Sequence, residues 1–299
     1  MISLLHESLL QRLNKFNKEL DNCRKHPSVD AVHDLRVAIR RLNSSLSFAK
    51  IFYSDKRFEQ CKTELMSLMQ PMGKLRDTHV QAEMIENLFT RIGPGLNEYL
   101  KLLWQEEKRQ GKMALRVAVS FKPAACKKLL KIMNREDSEA NSTDKLDAFF
   151  EKSNQLLQSR FVDVMAFSPQ VVDPANLKAL HQLRIAFKKY RYTIEIFRPL
   201  LTTYQATLLE QMQAFQSLLG DIHDLDVLIK DFKKFSQKKK RTKYETTNLK
   251  NSIRKLRTIR RQYFERFEEE FKAVETKYNP GIFLIEKHLA EPIAEGLSK

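Results

Sequence analysis

VHDLRVAIRRLNSSLSFAKIF, residues 32–52, aligns without a gap to LHQLRIAFKKYRYTIEIFRPL, residues 180–200. Both segments space their apolar residues for one face of a helix: Val32, Leu35, Ile39, Leu42 and Leu46 in the first, Leu180, Leu183, Phe187, Tyr190 and Ile194 in the second. A second pair of segments, 72–80 (MGKLRDTHV) and 219–227 (LGDIHDLDV), sets Gly73 against Gly220 and Asp77 against Asp224. Two matched segments in the same order, at almost the same offset, predict a tandem duplication built from helices.

Helical periodicity continues outward from these anchors. Leu4, Leu5, Leu9, Leu13, Phe16 and Leu20 form a stripe ending near Cys23, and Ser28 has the chemistry of an N-cap. Ser54-Asp55 restarts the chain into a helix running towards Leu88, with a kink expected at Pro71 and Gly73. Gly93-Pro94 leads into a fourth helix, Leu96 to Val119, and Pro123 starts a short extension. Asn134 to Asp144 is polar and without a stripe, hence a linker. Beyond it lie Leu146–Phe167, a helix capped by Asp173 with Pro174 at its first position, Tyr204–Lys234 and Leu249–Val274. The expected fold is all-α, two antiparallel four-helix bundles, 1–138 and 139–299.

Composition agrees. Seven Gly and nine Pro in 299 residues are too few for a turn-dense β-sandwich, and no Gly-rich phosphate loop occurs. Lys and Arg number 53 against 37 acids, a net +16, which favours a polyanionic partner: nucleic acid, an acidic membrane surface or a phosphate polymer. No apolar run reaches the ~18 residues of a membrane span, so no membrane insertion is expected. The N-terminus lacks a signal peptide's unbroken apolar stretch. Cys23, Cys61 and Cys126 are odd in number and widely spaced, which indicates neither a disulfide framework nor a zinc site. A cytoplasmic protein without cofactor is the expectation.

On a helix turning 100° per residue, His33, Arg36 and Arg40 lie within about 60° of one another, beside the apolar stripe. His181, Arg184, Lys188 and Arg191 repeat the row. Basic rows are usually solvated faces, but such faces carry Glu-to-Lys partners at i+4, and Arg36 to Arg41 contains no acid. Cations at regular intervals suit a repeating anion.

HDLRVAIRRL and HQLRIAFKKYRY closely resemble the two characteristic helices of the CHAD family, the conserved histidine α-helical domain. The resemblance spans nearly the whole chain. It implies two four-helix bundles about a pseudo-twofold axis, with basic helices lining a central groove or pore that binds inorganic polyphosphate. Carried over by position, it implicates His33, Arg36, Arg40, Arg41, His181, Arg184, Lys188, Lys189 and Arg191. Family members usually have Arg where Asn43 stands, so the first row is one cation short of the second. Members are often fused to a CYTH triphosphate-processing domain; a stand-alone module is expected here, with polyphosphate granules as the place where the resemblance would put it.

The histidines admit three readings: packing residues, donors to phosphate oxygens, or metal ligands. Asp77 and Asp224 are expected to orient Arg or Lys side chains through charge-assisted bonds. Further cations gather between Lys230 and Arg261. Lys238-Lys239-Lys240-Arg241 is expected to be a flexible loop. Arg254, Arg257 and Arg261, with Lys108 and Lys112 as a thinner counterpart, either widen the anion groove or are simply solvated.

Two rivals stand beside non-catalytic polyphosphate binding. Nucleic-acid binding calls for aromatic stacking among the cations, yet Phe187 and Tyr190 fall on the core stripe. A metal-dependent phosphohydrolase would draw on His33, His79, His181, His223, Asp77 and Asp224. His223-Asp224 resembles the pair of an HD hydrolase, but the ordered H…HD…D set of that family is not reproduced. A surplus of cations without a cluster of acids favours binding over metal chemistry, so no catalytic residue and no metal are expected.

Overall fold

Amphipathic periodicity is realised as ten α-helices among the described residues. A computed structural model of the chain describes residues 2–26, 28–53, 56–133, 143–238 and 241–284. They are α1 (Ile2–Lys25), α2 (Val29–Ala49), α3 (Lys56–Leu88), α4 (Pro94–Ser120), α5 (Ala124–Met133), α6 (Thr143–Met165), α7 (Leu177–Ile196), α8 (Thr203–Gln237), α9 (Lys243–Lys272) and the short α10 (Val274–Lys277). No strand occurs among the described residues. The restart expected at Ser54-Asp55, the linker segment 134–142 and Lys239-Lys240 of the expected loop lie outside the described residues, as do Pro27 and 285–299.

Local chemistry sets the helix ends. Ser28 caps α2, its hydroxyl accepting from the Ala31 N–H at 3.0 Å. α3 runs through Pro71 as one helix. The start of α7 departs from expectation: Asp173 closes a turn by accepting from the Ala175 N–H, and Asn176 is the cap, accepting from Ala179. α9 begins six residues before its apolar stripe because Thr242 and Glu245 form a reciprocal capping box.

The two halves share their cores. One cluster joins Leu9, Phe16 and Leu35 to Phe187, Phe215 and Phe267. The other joins Ile85 and Leu100 of α3 and α4 to Leu228 and Phe232 of α8 and Leu256 of α9. Each such fully buried side chain contributes about 1.5–3 kcal/mol. Across the halves, α2 meets α7, α3 meets α8 and α4 meets α9, so helices matched in sequence or in order touch one another. At the α4–α9 contact Gly95 is required by close approach: a Cβ there would stand 2.9 Å from the Leu249 side chain. The Arg241 side chain is buried there, ion-paired to Glu98 at 2.8 Å and stacked on Phe235. The expected flexible loop is therefore anchored at its last residue, because the guanidinium finds both a carboxylate and an aromatic face on neighbouring helices.

A disulfide joins Cys61 of α3 to Cys126 of α5, correcting the expectation that the cysteines stay unpaired. The turn at Pro123 folds α5 back along α3. There the Glu64 carboxylate accepts the free N–H groups of Ala124, Ala125 and Cys126 at 2.8–3.2 Å, which holds the two cysteines together. Sixty-five residues separate the pair, so spacing gave no warning. Cys23 remains a buried thiol, its pKa raised by burial.

Candidate functional site

The α2–α7 contact turns two basic rows into one seam. Their apolar stripes, with Leu35, Ile39, Leu183 and Phe187, are buried, leaving the flanking cations to face each other across the join. Arg36 and Arg40 from α2 meet Arg184 and Lys188 from α7 closely enough for each to perturb the next. Desolvation, then Arg40, pulls the Arg36 guanidinium down to about 10, against the opposing pull of Asp77. Desolvation also lowers Arg40, and Arg184 and Arg191 add to it. Lys188 falls to about 7, through desolvation first and then Arg40, Arg184, Arg36 and Arg191.

These cations are not neutralised from within. Among the described residues no carboxylate lies within 4.0 Å of Arg36, Arg40, Arg184 or Lys188. Arg36 Nη1 and Arg40 Nε are buried and have no acceptor from the chain. A buried donor without a partner costs about 1–3 kcal/mol, and more when charged. The seam holds like charges together with their donors unused.

Helices α3 and α8 close one side of the seam by matching devices. Gly73 of α3 lies beside Arg36, where a Cβ would stand 3.5 Å from Nη1; Gly220 of α8 lies beside Arg184, at 3.9 Å from Nε. Asp77 and Asp224 sit one turn further on. They make no ion pair or hydrogen bond within reach of Arg36 or Arg184, so the expected charge-assisted bonds are absent among the described residues. The glycines bring the guanidiniums against the helix surface one turn short of the carboxylates, which act only through their field. Asp224, raised to about 6 by desolvation against the pull of Arg184, is partly protonated near neutrality.

The histidines sit at the end of each row. His181 Nδ1 lies 3.3 Å from His223 Nδ1, with ring centroids 4.7 Å apart. Desolvation, then Arg184 and His181, holds His223 at about 4, and desolvation and Arg184 lower His181. His33 is lowered by desolvation and then by Arg76, the residue aligned with His223. Burial and the neighbouring cations thus disfavour the charged form of all three rings. His79 is elsewhere, its Nδ1 3.0 Å from Glu107 of α4. Among the described residues no three His, Cys, Asp or Glu side chains are placed to hold a metal ion.

The remaining expected residues divide. Arg41 and Arg191 converge on Glu195 of α7, Arg41 Nε at 3.1 Å and Arg191 Nη1 at 3.3 Å, while Arg191 Nε also donates to Gln216. Asn43 buries its Oδ1 without a donor from the chain. Lys189 is exposed on α7. Lys108 and Lys112 line a cleft of about 410 Å³ with Val32, Leu75 and Trp104, and Arg257 and Arg261 line one of about 940 Å³ with Leu177, Ile229 and Phe264. No seam cation lines either cleft. Arg254 donates to Asn251, and Arg261 pairs with Glu265 at 2.8 Å, as on a solvated helix face.

Sequence reasoning missed Arg76 and Arg12. Arg76 couples to His33, Arg36 and Asp77; its signal was available, since it aligns with His223. Arg12 of α1 donates from Nη1 to the Arg41 carbonyl at 3.1 Å, and nothing in the α1 stripe marks it.

A family model described as CHAD domain matches residues 7–230. The fold is similar to the crystal structure of the CHAD domain from the plant Ricinus communis, with 18% identity, 91% of each chain covered and a TM-score of 0.70. It is also similar to PptA from Streptomyces chartreusis, with 15% identity, 89% of this chain and 98% of that chain covered, and a TM-score of 0.62. No curated protein matches the sequence.

Proposed function

The chain belongs to the CHAD family, and from that premise we propose that it binds inorganic polyphosphate, without turning it over, along the cationic seam between α2 and α7. The observation that carries this reading is the pair of buried guanidinium donors without acceptors, Arg36 Nη1 and Arg40 Nε, inside a group of four cations from both halves. Phosphate oxygens would satisfy the donors and relieve the repulsion at once, the Arg forks giving direction and Lys188 a point charge. Release of the polymer's counterions would add affinity that weakens with salt.

Nucleic acid fits less well. Phe187 and Tyr190 are fully buried and Tyr192 nearly so, and the exposed rings of Trp104, Tyr204 and Tyr244 lie outside the rows. Bases would find no stacking surface beside the seam cations. Further cations such as Lys189, Arg257 and Arg261 would raise the local concentration of any polyanion and define no path for it.

The test is a competition among long-chain polyphosphate, single-stranded DNA, RNA and heparin at several salt concentrations. Polyphosphate should win, with a slope of log K against log salt at least as steep as about −3. Equal affinity for orthophosphate, or a flat salt dependence, would overturn the reading.

A further inference from the structure

The seam does not stop at Lys188. Arg40 feels Arg191 and Arg41 as well as Arg184, and Arg12 feels Glu195, Arg41, Tyr192 and Arg191. Arg41 of α2 and Arg191 of α7 thus pair with one carboxylate, that of Glu195, which is only 9% exposed, and Arg12 of α1, bonded to the Arg41 carbonyl, lines the same cleft. A cleft of about 480 Å³, lined by Arg12, Lys15, Asp34, Arg41 and Glu195 among others, opens Arg12, Arg41 and Glu195 to solvent, while Arg191 stays buried. Lys15 is occupied by Glu19 at 2.7 Å, so Arg12, Arg41 and Arg191 are the charges on offer. Counted against Glu195 and Asp34, which lines the same cleft, they leave an excess of one positive charge.

We propose that Glu195 is a specificity-determining residue: a built-in anion on a second segment of the anion path, formed by Arg12, Arg41 and Arg191, which only a long chain displaces. The inference rests on the polyphosphate reading and deepens it. At the Arg36–Arg184 end the donors are free, so any short oligophosphate finds partners there. At the Arg12 end Arg41 and Arg191 are already bonded, and an incoming phosphate must break both contacts with Glu195 and bear its repulsion. A ligand of two or three phosphates gains too little from that exchange. A long chain anchored at the first segment presents its next phosphates at high effective concentration, and the exchange becomes favourable. Arg12 is then a binding residue for long chains, absent from the basic rows because it comes from a different helix.

The variant that isolates the idea is Glu195→Gln, which keeps the shape and an acceptor for Arg41 but removes the charge. Wild type and variant are titrated with tripolyphosphate and with a chain of about one hundred phosphates, at fixed salt and after comparison of melting temperatures. In the variant the second segment no longer has to be vacated, so tripolyphosphate should bind at a second site per protein, at least about tenfold more tightly there than in wild type, the order of one charge-assisted contact regained. The long chain, which bears the same displacement in wild type, should gain comparably, while the first tripolyphosphate, bound at the free donors, should not. Adding Arg12→Ala to Glu195→Gln should remove the gain. Should Glu195→Gln lower the melting point by more than a few degrees, Arg12→Ala alone decides: it should weaken the long chain several-fold more than tripolyphosphate. A single tripolyphosphate per protein in a folded variant, or an unchanged long-chain affinity, overturns this inference and leaves the polyphosphate reading standing. A wild type that binds neither ligand overturns both.

Discussion

Polyphosphate binding at pH 8 should draw close to one proton from solution per protein molecule, and Lys188 is the reason. Its ammonium group, with an ordinary pKa of 10.5, is held at about 7 by desolvation and by Arg40, Arg184, Arg36 and Arg191. At pH 8 roughly one molecule in eleven carries that charge. A phosphate chain in the seam replaces repulsion by attraction and recharges the rest, an uptake of about 0.9 proton. The sign follows from the lowered pKa. The charged form is disfavoured in the folded free protein, so the stability penalty is complete below pH 7 and fades as pH rises from 7 towards 10.5. The ligand prefers the charged form, so affinity should fall up to about tenfold per pH unit above pH 7. Calorimetric titration in two buffers of different ionisation enthalpy measures the uptake directly. Lys188→Met is the control, expected to abolish most of the uptake and weaken binding. It should also stabilise the free protein at pH 6 by on the order of 2 kcal/mol, below the full linkage value because the site is partly hydrated. Equal uptake in the two proteins, or a Lys188→Met variant less stable at pH 6, would refute the reasoning.

Further outcomes follow from other contacts. Arg36→Ala combined with Arg184→Ala should weaken polyphosphate binding by roughly 3–6 kcal/mol at physiological salt, more than neutralising Lys238, Lys239 and Lys240 together; a larger loss from the lysine variant would mean that bulk charge governs. With Mg²⁺, Mn²⁺ or Zn²⁺ present, the protein should release no phosphate from polyphosphate or nucleotides above background. Metal-dependent release abolished by Asp224→Ala would establish a hydrolase instead. Cys61→Ser should lower stability to denaturant by about 2–4 kcal/mol, and reductant should bring the wild type down to the same value. Gly95→Ala, which drives a methyl into Leu249, should cost about 1–3 kcal/mol in the same assay, and an unchanged midpoint would show that α4 and α9 have room to separate.

What could be read from the sequence is what repeats along one helix. The stripe of Leu35, Ile39 and Leu42 and the row of His33, Arg36 and Arg40 are local periodicities, and the fold keeps both, one buried and one facing the seam. Ser28 was legible as a cap for the same reason. Contacts between helices distant in sequence were not. Arg241 and Glu98 are 143 residues apart, and Gln81 and Asp231, bonded at 3.3 Å, are 150 apart. No pattern in either segment names its partner. Asp173 had the right chemistry for a cap but its side chain is spent on a turn three residues too early, a choice between two acceptors three residues apart that propensity does not resolve. Glu195 was passed over because one acid at the end of a basic row looks like an ordinary i+4 partner, and its second bond comes from α2.

The cores that run from one half into the other have a consequence for the entropy of binding. Ile85 and Leu100 on one side and Leu228, Phe232 and Leu256 on the other hold α3 and α4 against α8 and α9 whether or not an anion is present. The walls of the seam are therefore set by packing, and the seam has no need to clamp down around its ligand. Ordering on binding then falls almost wholly on the polymer, whose torsions freeze one repeat at a time as successive phosphates find their cations. A chain already stiffened, by bound divalent cations or by cyclisation, would give up less freedom and should dock at a smaller entropic penalty, so long as its curvature matches a channel that does not adapt to it.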